Sequence, residues 1–456
     1  MKALIIAAGN GTRMQPVTRG RHKSLMPLLG LKIIERVILG ARSAGISEFV
    51  IVTGYRGEDL KRTLGDGTKY GVSIAYVGND KWEKANGISV YKARKHFREN
   101  FVLLMSDHVF DPRTLEKIQR LRLKKKECVL AVDKKLDGVR DVVDTTKVLI
   151  KKARVISIGK KLGKYSAFDT GMFVCSPFIF KVLKKTIAMG KNSLTNAMSV
   201  LAAEDKLRVF NIKKKFWADC DTYADIKFAE KKLLTSLIKS KDGFISKNFN
   251  RKISALITKL LVKTPLTPNA ISFSLPILAI FTFFLLAEGT YPWIFLGGMM
   301  IQLLSIVDGC DGEIARLKFI KSKWGAWLDP ILDRYIDTLF IAGMSYGYWR
   351  ITGNGIILPI AIFVMLAMMM EDYMPNKFLV EVGKKLKFQS IEFKRDLRSV
   401  VLALGAITNL IIPALLIFLI ISQFRVIGRL LAGKKISEEE TRKTPVASAL
   451  PQILDK

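Results

Sequence analysis

The chain has 456 residues, with 74 Lys and Arg against 40 Asp and Glu for a formal net charge of +34, and 49% of its residues are hydrophobic. So apolar a chain is not disordered, and its length suggests roughly three domain-sized units rather than one. The charge points to polyanions, and the four separated cysteines, Cys128, Cys175, Cys220 and Cys310, give no support to a disulfide scaffold or a cysteine zinc site.

Residues 1–9 run straight into a strand-like apolar stretch without a cleavage pattern, so neither a signal nor a transit peptide is expected. Over residues 1–240, short apolar runs (3–8, 49–53, 72–77, 101–105 and 128–132) alternate with longer periodic segments, which predicts a cytosolic α/β domain. The first run ends in a loop of Ala8, Gly9, Gly11, Thr12 and Arg13, with Lys23 about ten residues on. Backbone N–H groups of such a loop can cradle phosphate oxygens, and Arg13 and Lys23 add positive charge. The third glycine of a dinucleotide loop and the GK[ST] of a P-loop are both missing.

Farther on, Asn79, Asn86, Gly87 and Ser89 offer amides and a tight turn suited to a nucleobase edge. Asp107 stands at the C-terminal end of an apolar strand, where α/β sheets place ligands. Asp219 and Asp221 form a second acidic pair whose two-residue spacing puts both on one face of a strand. Carboxylates from two distant segments suit a hard Mg²⁺ (or Mn²⁺) ion on nucleotide phosphates. Of the histidines, His96 sits in a charged helix, His22 lies beside Lys23, and His108 is expected only to shape the turn after Asp107.

The strand, the GxGTR loop, the later lysine and these acids, in this order, resemble the nucleotidyltransferases of sugar and alcohol phosphates. The resemblance implies a Rossmann-like domain with catalytic Arg13 and Lys23, a metal on Asp107 and either Asp219 or Asp221, and acceptor contacts at Asp169, Thr170 and Gly171. Where that family has prolines around the lysine, this chain has His22 and Ser24.

Over 241–265, Phe249, Ile253, Leu256, Ile257 and Leu260 share one helical face, with Lys247, Arg251, Lys252, Lys259 and Lys263 around it. This predicts an interfacial helix and linker, with packing on the soluble domain as the alternative. From 266 to 430 the apolar runs reach bilayer length: 271–287, 291–307, 328–349, 355–373, and 399–422, the last divided near Asn409 and Pro413. Loops after alternate spans carry Arg316, Lys318, Lys321 and Lys323, then Lys377, Lys384, Lys385, Lys387, Lys394 and Arg395, while the opposite loops carry only Arg350. The positive-inside rule then predicts an all-α domain of six spans, the fifth starting near Lys387 and the sixth near Leu410. Both ends would be cytosolic, and residues 431–456 would form a flexible tail.

Asp308, Asp311, Gly312, Ala315, Arg316, Gly325, Asp329 and Asp333 match DxxDGxxAR(x8)GxxxDxxxD at all eight fixed positions. Asp308 and Asp311 are spaced i, i+3, and Gly325, Asp329 and Asp333 i, i+4, i+8, so two helices would gather four carboxylates. In a membrane such a cluster needs cations, Mg²⁺ or Mn²⁺. Gly312, Ala315 and Gly325 lack bulk, so cytidine or the partner helix can approach closely, with Gly325 counted among the substrate contacts, and Arg316 offers a fork to phosphate. The pattern resembles the CDP-alcohol phosphotransferases. That resemblance implies Asp308, Asp311 and Asp329 as metal ligands and Asp333, at the same metal cluster, as general base. Lys377, Lys394, Arg395 and Arg398 either bind the acceptor's phosphate or are plain positive-inside residues, with Arg398 the deepest.

A fusion in this order resembles the bifunctional inositol-1-phosphate cytidylyltransferase/di-myo-inositol phosphate phosphate synthases. It implies CTP and inositol 1-phosphate as substrates, CDP-inositol as intermediate, a lipid bilayer around the second domain, a homodimer through that domain, and no nucleic acid. Two alternatives are headgroup transfer onto a membrane lipid alcohol and a basic scaffold that only binds nucleotide.

Overall fold

The computed structural model describes residues 1–18, 20–135, 141–213, 215–238, 243, 245–383, 386 and 395–443. The chain divides into two compact units, Met1–Leu237 with Leu317–Phe319, and Ile238–Arg316 with Ile320–Lys456.

In the first unit, nine strands form one sheet in the order Ser73–Gly78, Glu48–Thr53, Ala3–Ala7, Phe101–Met105, Ala167–Cys175, Cys128–Asp133, Leu207–Asn211, Arg154–Gly159 and Lys147–Lys151. The first four run parallel to one another. Parallel strands packed on both faces read as continuous apolar runs, and all five residues of Ala3–Ala7 are buried. Strand alternation divides them: Leu4 and Ile6 join one core, Ala3, Ile5 and Ala7 the other. The chain steps outward from Ala3–Ala7 to Glu48–Thr53 and Ser73–Gly78, then returns to Phe101–Met105 on the other flank. Their C-terminal ends therefore meet at a switch in strand order, where open α/β sheets bind ligands. A separate two-stranded ladder pairs His108–Phe110 with Trp217–Asp219, setting Asp219 opposite His108.

The second unit is helical. A π-helical turn, Ser246–Asn250, leads into Arg251–Leu261. Then come Pro268–Ala287, Tyr291–Leu317, Lys323–Thr352, Ile357–Val382, Arg395–Ile407 and Ile411–Lys443. Four of these, beginning at Pro268, Tyr291, Ile357 and Ile411, are long and apolar enough to cross a membrane. Leu275, Ile301, Phe340, Met344 and Phe418 fill the interior, while Phe281, Phe284, Ile362 and Ile420 project outward and exposed. An apolar outside around an apolar inside suits lipid.

Several boundaries differ from the sequence reading. The Tyr291–Leu317 helix continues through Asp308–Arg316 instead of ending at Val307, because nothing in that stretch breaks a helix. The division near Asn409 is present: Asn409 has φ +58°, and a new helix begins at Ile411. That helix runs on to Lys443, past the boundary set at 430, and residues 444–456 of the expected tail lie outside the described residues. So do 387–394, which hold the expected start of the fifth span and Lys394, and 241, 242 and 244 of the linker.

Candidate active sites

In the first unit, Ala8, Gly9, Gly11 and Thr12 follow the central strand directly. Gly9 has open space where a Cβ would stand, so a ligand can approach its backbone. Gly11 has φ +57°, and a Cβ there would lie 2.8 Å from Cβ of Lys23, so only glycine lets the loop close over that lysine. Lys23 is held by its neighbours in place of the family's prolines. The His22 ring donates from Nε2 to the carbonyl of Ala7 at 3.1 Å and accepts at Nδ1 from the N–H of Ser24 at 3.1 Å. A ring so bonded is neutral, and burial pushes His22 down to about 4.

Lys23 Nζ lies 2.6 Å from Asp107 Oδ2 and also bonds Asp221. Burial opposes its charge, but Asp107 and Asp221 outweigh burial and raise its pKa. Arg13 bonds Asp221 and Asp144. His108 stands among the acids, its Nε2 3.5 Å from Asp219 and 3.8 Å from Asp107, with Nδ1 2.9 Å from the carbonyl of Thr170. It therefore does more than shape a turn: despite burial, Asp219 and Asp107 raise it to about 9. Burial pushes Asp219 up to about 7, whereas Lys23 and His108 overcome burial and hold Asp107 at about 2.

Ligand atoms of Asp107, His108 and Asp219 lie within 4.8 Å of one another. Asp219 Oδ1 is buried without a hydrogen-bond partner among the described residues. A hard divalent cation would satisfy that oxygen, so the donor set fits one. These groups line a cavity of about 220 Å³ that also includes Asn86, Asp169 and Gly171. Asp169, raised to about 6 by burial, accepts from the N–H of Gly171 at 2.8 Å. The Thr170 hydroxyl is spent on the carbonyl of Ala131. Asn79 and Ser89 are buried and bonded to each other at 3.0 Å, and Asn86 accepts from the N–H of Leu194 at 2.9 Å, beside Gly87.

In the helical unit, carboxylate oxygens of Asp308, Asp329 and Asp333 lie within 4.8 Å of one another. Asp311 is not among them. Its Oδ2 accepts from Ser272 on the Pro268–Ala287 helix at 2.6 Å. Three carboxylates from two helices fit a divalent cation better than they fit one another. Arg395 Nη1 lies 2.6 Å from both Asp308 and Asp333. Gly325 opens its helix, its N–H donating to Ser322 Oγ at 2.8 Å. A Cβ at Gly312 would stand 3.2 Å from Arg316 Nη1, so the glycine makes room for that side chain, with Ala315 beside it. Arg398 is buried. Lys377 is half exposed and pairs with Glu381 at 2.8 Å on its own helix, apart from the acidic cluster.

Residues 2–236 match the family described as Nucleotidyl transferase, and residues 265–424 the family described as CDP-alcohol phosphatidyltransferase. A "Bifunctional IPC transferase and DIPP synthase" of Aquifex aeolicus is 32% identical, covering 93% of this chain and 96% of its own. The chain belongs to the family of bifunctional IPC transferases and DIPP synthases. Proteins of the same description from Archaeoglobus fulgidus (34% identical, 87% of this chain, 76% of its own) and Rubrobacter xylanophilus (32%, 95% and 96%) agree.

Three residues of this family member escaped the sequence reading. Asp144 pairs with Arg13 from a stretch with no motif. Asp337, one turn beyond Asp333 and buried, lies 3.8 Å from Arg395 and 3.2 Å from Arg334; its i, i+4 spacing was the available signal. Glu313 is a variable position of the signature, yet it is 1% exposed and accepts from Arg251 (2.8 Å), Ser254 (2.8 Å) and Thr258 (2.7 Å). That triad docks the polar side of Arg251–Leu261 and leaves Leu256 and Leu260 exposed.

Proposed function

We propose that the two units run consecutive reactions. In the first, a phosphate oxygen of inositol 1-phosphate attacks the α-phosphorus of CTP, giving CDP-inositol and pyrophosphate. A phosphate dianion is already a nucleophile, so Arg13, Lys23 and the glycine loop only position and neutralise. Asp107 and Asp219 would hold the divalent ion; the bare, buried Oδ1 of Asp219 supports this choice over Asp221, whose oxygens meet Lys23 and Arg13.

In the second reaction, a hydroxyl of another inositol 1-phosphate attacks the phosphorus bound to inositol in CDP-inositol. Asp333 takes the proton, the diphosphate bond breaks, and CMP leaves. Asp308, Asp329 and Asp333, with Asp311 joining from beside Ser272, would hold the ion. Mg²⁺ or Mn²⁺ at each site supplies charge neutralisation of the phosphates. The product is di-myo-inositol phosphate phosphate. Six spans place both ends in the cytosol, and the exposed apolar helix faces meet lipid and a second copy of the chain.

The observation that carries this reading is the pair of separate acidic clusters, one at the end of an α/β sheet and one between two helices of the second unit. Incubating the full chain with CTP, Mg²⁺ and labelled inositol 1-phosphate tests it. A water-soluble di-inositol product supports the reading, an organic-extractable product supports lipid headgroup transfer, and no pyrophosphate contradicts both.

A further inference from the structure

Beside Asp308 lies a cavity of about 230 Å³ whose walls come from four helical segments, the Lys323–Thr352 helix among them through Asp333. The Tyr291–Leu317 helix contributes Ser305, one turn before Asp308 and on the same face. The segment leading into Arg251–Leu261 contributes Asn250, and the Arg395–Ile407 helix contributes Arg395 and Asp396. Neither Asp311 nor Asp329 is among the described residues lining it.

The wall is fixed independently of any ligand. Asn250 Oδ1 accepts from Gln302 Nε2 at 3.0 Å, the N–H of Ser246 donates to Asp396 at 2.8 Å, and Glu313 clamps Arg251, Ser254 and Thr258. Two polar groups on this rigid wall are unspent: Ser305 Oγ and Asn250 Nδ2 have no partner among the described residues. Such preorganised donors suit recognition.

The chemistry of the lining limits the ligand. Of the twelve described residues that line it, Ile306 alone is an apolar side chain larger than glycine. A lipid alcohol brings carbons next to its reacting hydroxyl that would strip water from serine, asparagine and carboxylate without replacing its hydrogen bonds. A polyol brings hydroxyls that pair with them. The volume also falls below the about 300–1,000 Å³ typical of drug-sized sites.

We propose that this cavity receives the acceptor, a small phosphorylated polyol, and that Ser305 and Asn250 select it by hydrogen-bonding its ring hydroxyls while another hydroxyl meets Asp333. The proposal rests on the transfer reaction proposed above. The full chain in detergent, supplied with Mg²⁺ and CDP-inositol, is titrated with inositol 1-phosphate as the probe. Ser305→Ala and Asn250→Ala are expected to raise the acceptor KM about tenfold each, the loss of one hydrogen bond to a polar ligand, with the KM for CDP-inositol unchanged. Ser305→Thr, which keeps the hydroxyl, is expected to restore most of the acceptor affinity. An unchanged CDP-inositol KM shows that the helical unit of each variant is folded. If wild type transfers to inositol 1-phosphate and both alanine variants keep its KM, this inference is wrong while the transfer reading stands. If wild type transfers nothing to that acceptor, both are wrong.

Discussion

Asp308 and Asp333, from two different helices, meet on one nitrogen, Nη1 of Arg395, at 2.6 Å each. In a low-dielectric setting the guanidinium offsets two carboxylates that would otherwise repel. Arg395→Ala is therefore expected to destabilise the metal-free helical unit by about 3 kcal/mol, the cost of stranding a buried charge. Because a divalent ion can take over the compensation, added Mg²⁺ should restore most of the loss. Thermal unfolding in detergent with and without Mg²⁺ measures both; equal melting temperatures for wild type and variant in chelator would refute the counter-charge role.

Gly171 faces His108. It has φ +74°, and a Cβ there would stand 2.3 Å from His108 Nδ1. Gly171→Ala must move the ring away from Asp219 and Asp107. Displacing a charged partner by about 1 Å commonly costs about 100-fold in rate, so pyrophosphate release should fall by that order. Transfer from supplied CDP-inositol should stay at the wild-type rate, which is the control.

His22 makes the stability of the first unit pH-dependent. Its ring is held neutral, at about 4 against an ordinary 6.5. The unfolded chain therefore binds more protons than the folded one between these values. The contribution is complete above pH 6.5 and is lost as pH falls toward 4, a change of up to about 3 kcal/mol. His22→Gln should flatten this part of the stability profile. Calorimetric unfolding of both proteins between pH 7 and 4.5 gives the comparison, and parallel slopes would contradict the assignment.

The two acidic clusters should separate by mutation. Asp107→Asn is expected to abolish pyrophosphate release and leave transfer from CDP-inositol intact. Asp333→Asn should do the reverse, lowering transfer by about 100- to 10,000-fold as expected for a lost general base. Separate assays of pyrophosphate and CMP read the two effects, and a variant that loses both reactions would argue against independent sites.

What the sequence carries well is local. The apolar run of 3–8 and the loop at Gly9 and Gly11 are contiguous, and the i, i+4 spacing of Asp329 and Asp333 fixes a shared helix face before any fold is known. The break at Asn409 was legible because Pro413 and an interrupted apolar run mark it. What it carries poorly depends on tertiary register. That His108 stands opposite Asp219 follows from a three-residue ladder between segments more than 100 positions apart, with no strand-length pattern to announce it. Asp311 fits the signature as well as Asp308 does, yet its carboxylate is taken by Ser272 from a neighbouring helix. Asn79 and Ser89 looked suited to a nucleobase, but their side chains meet each other. Glu313 shows the same limit from the other side: its donors lie on Arg251–Leu261, about 55 to 62 positions earlier.

The coupled reaction is tested most directly by a ³¹P NMR time course of the intact protein with CTP, inositol 1-phosphate and Mg²⁺. It predicts that CDP-inositol signals rise and then decay, that a phosphodiester signal grows, and that pyrophosphate and CMP finish in equal amounts. Pyrophosphate with accumulating CDP-inositol and no CMP would contradict the coupled reaction.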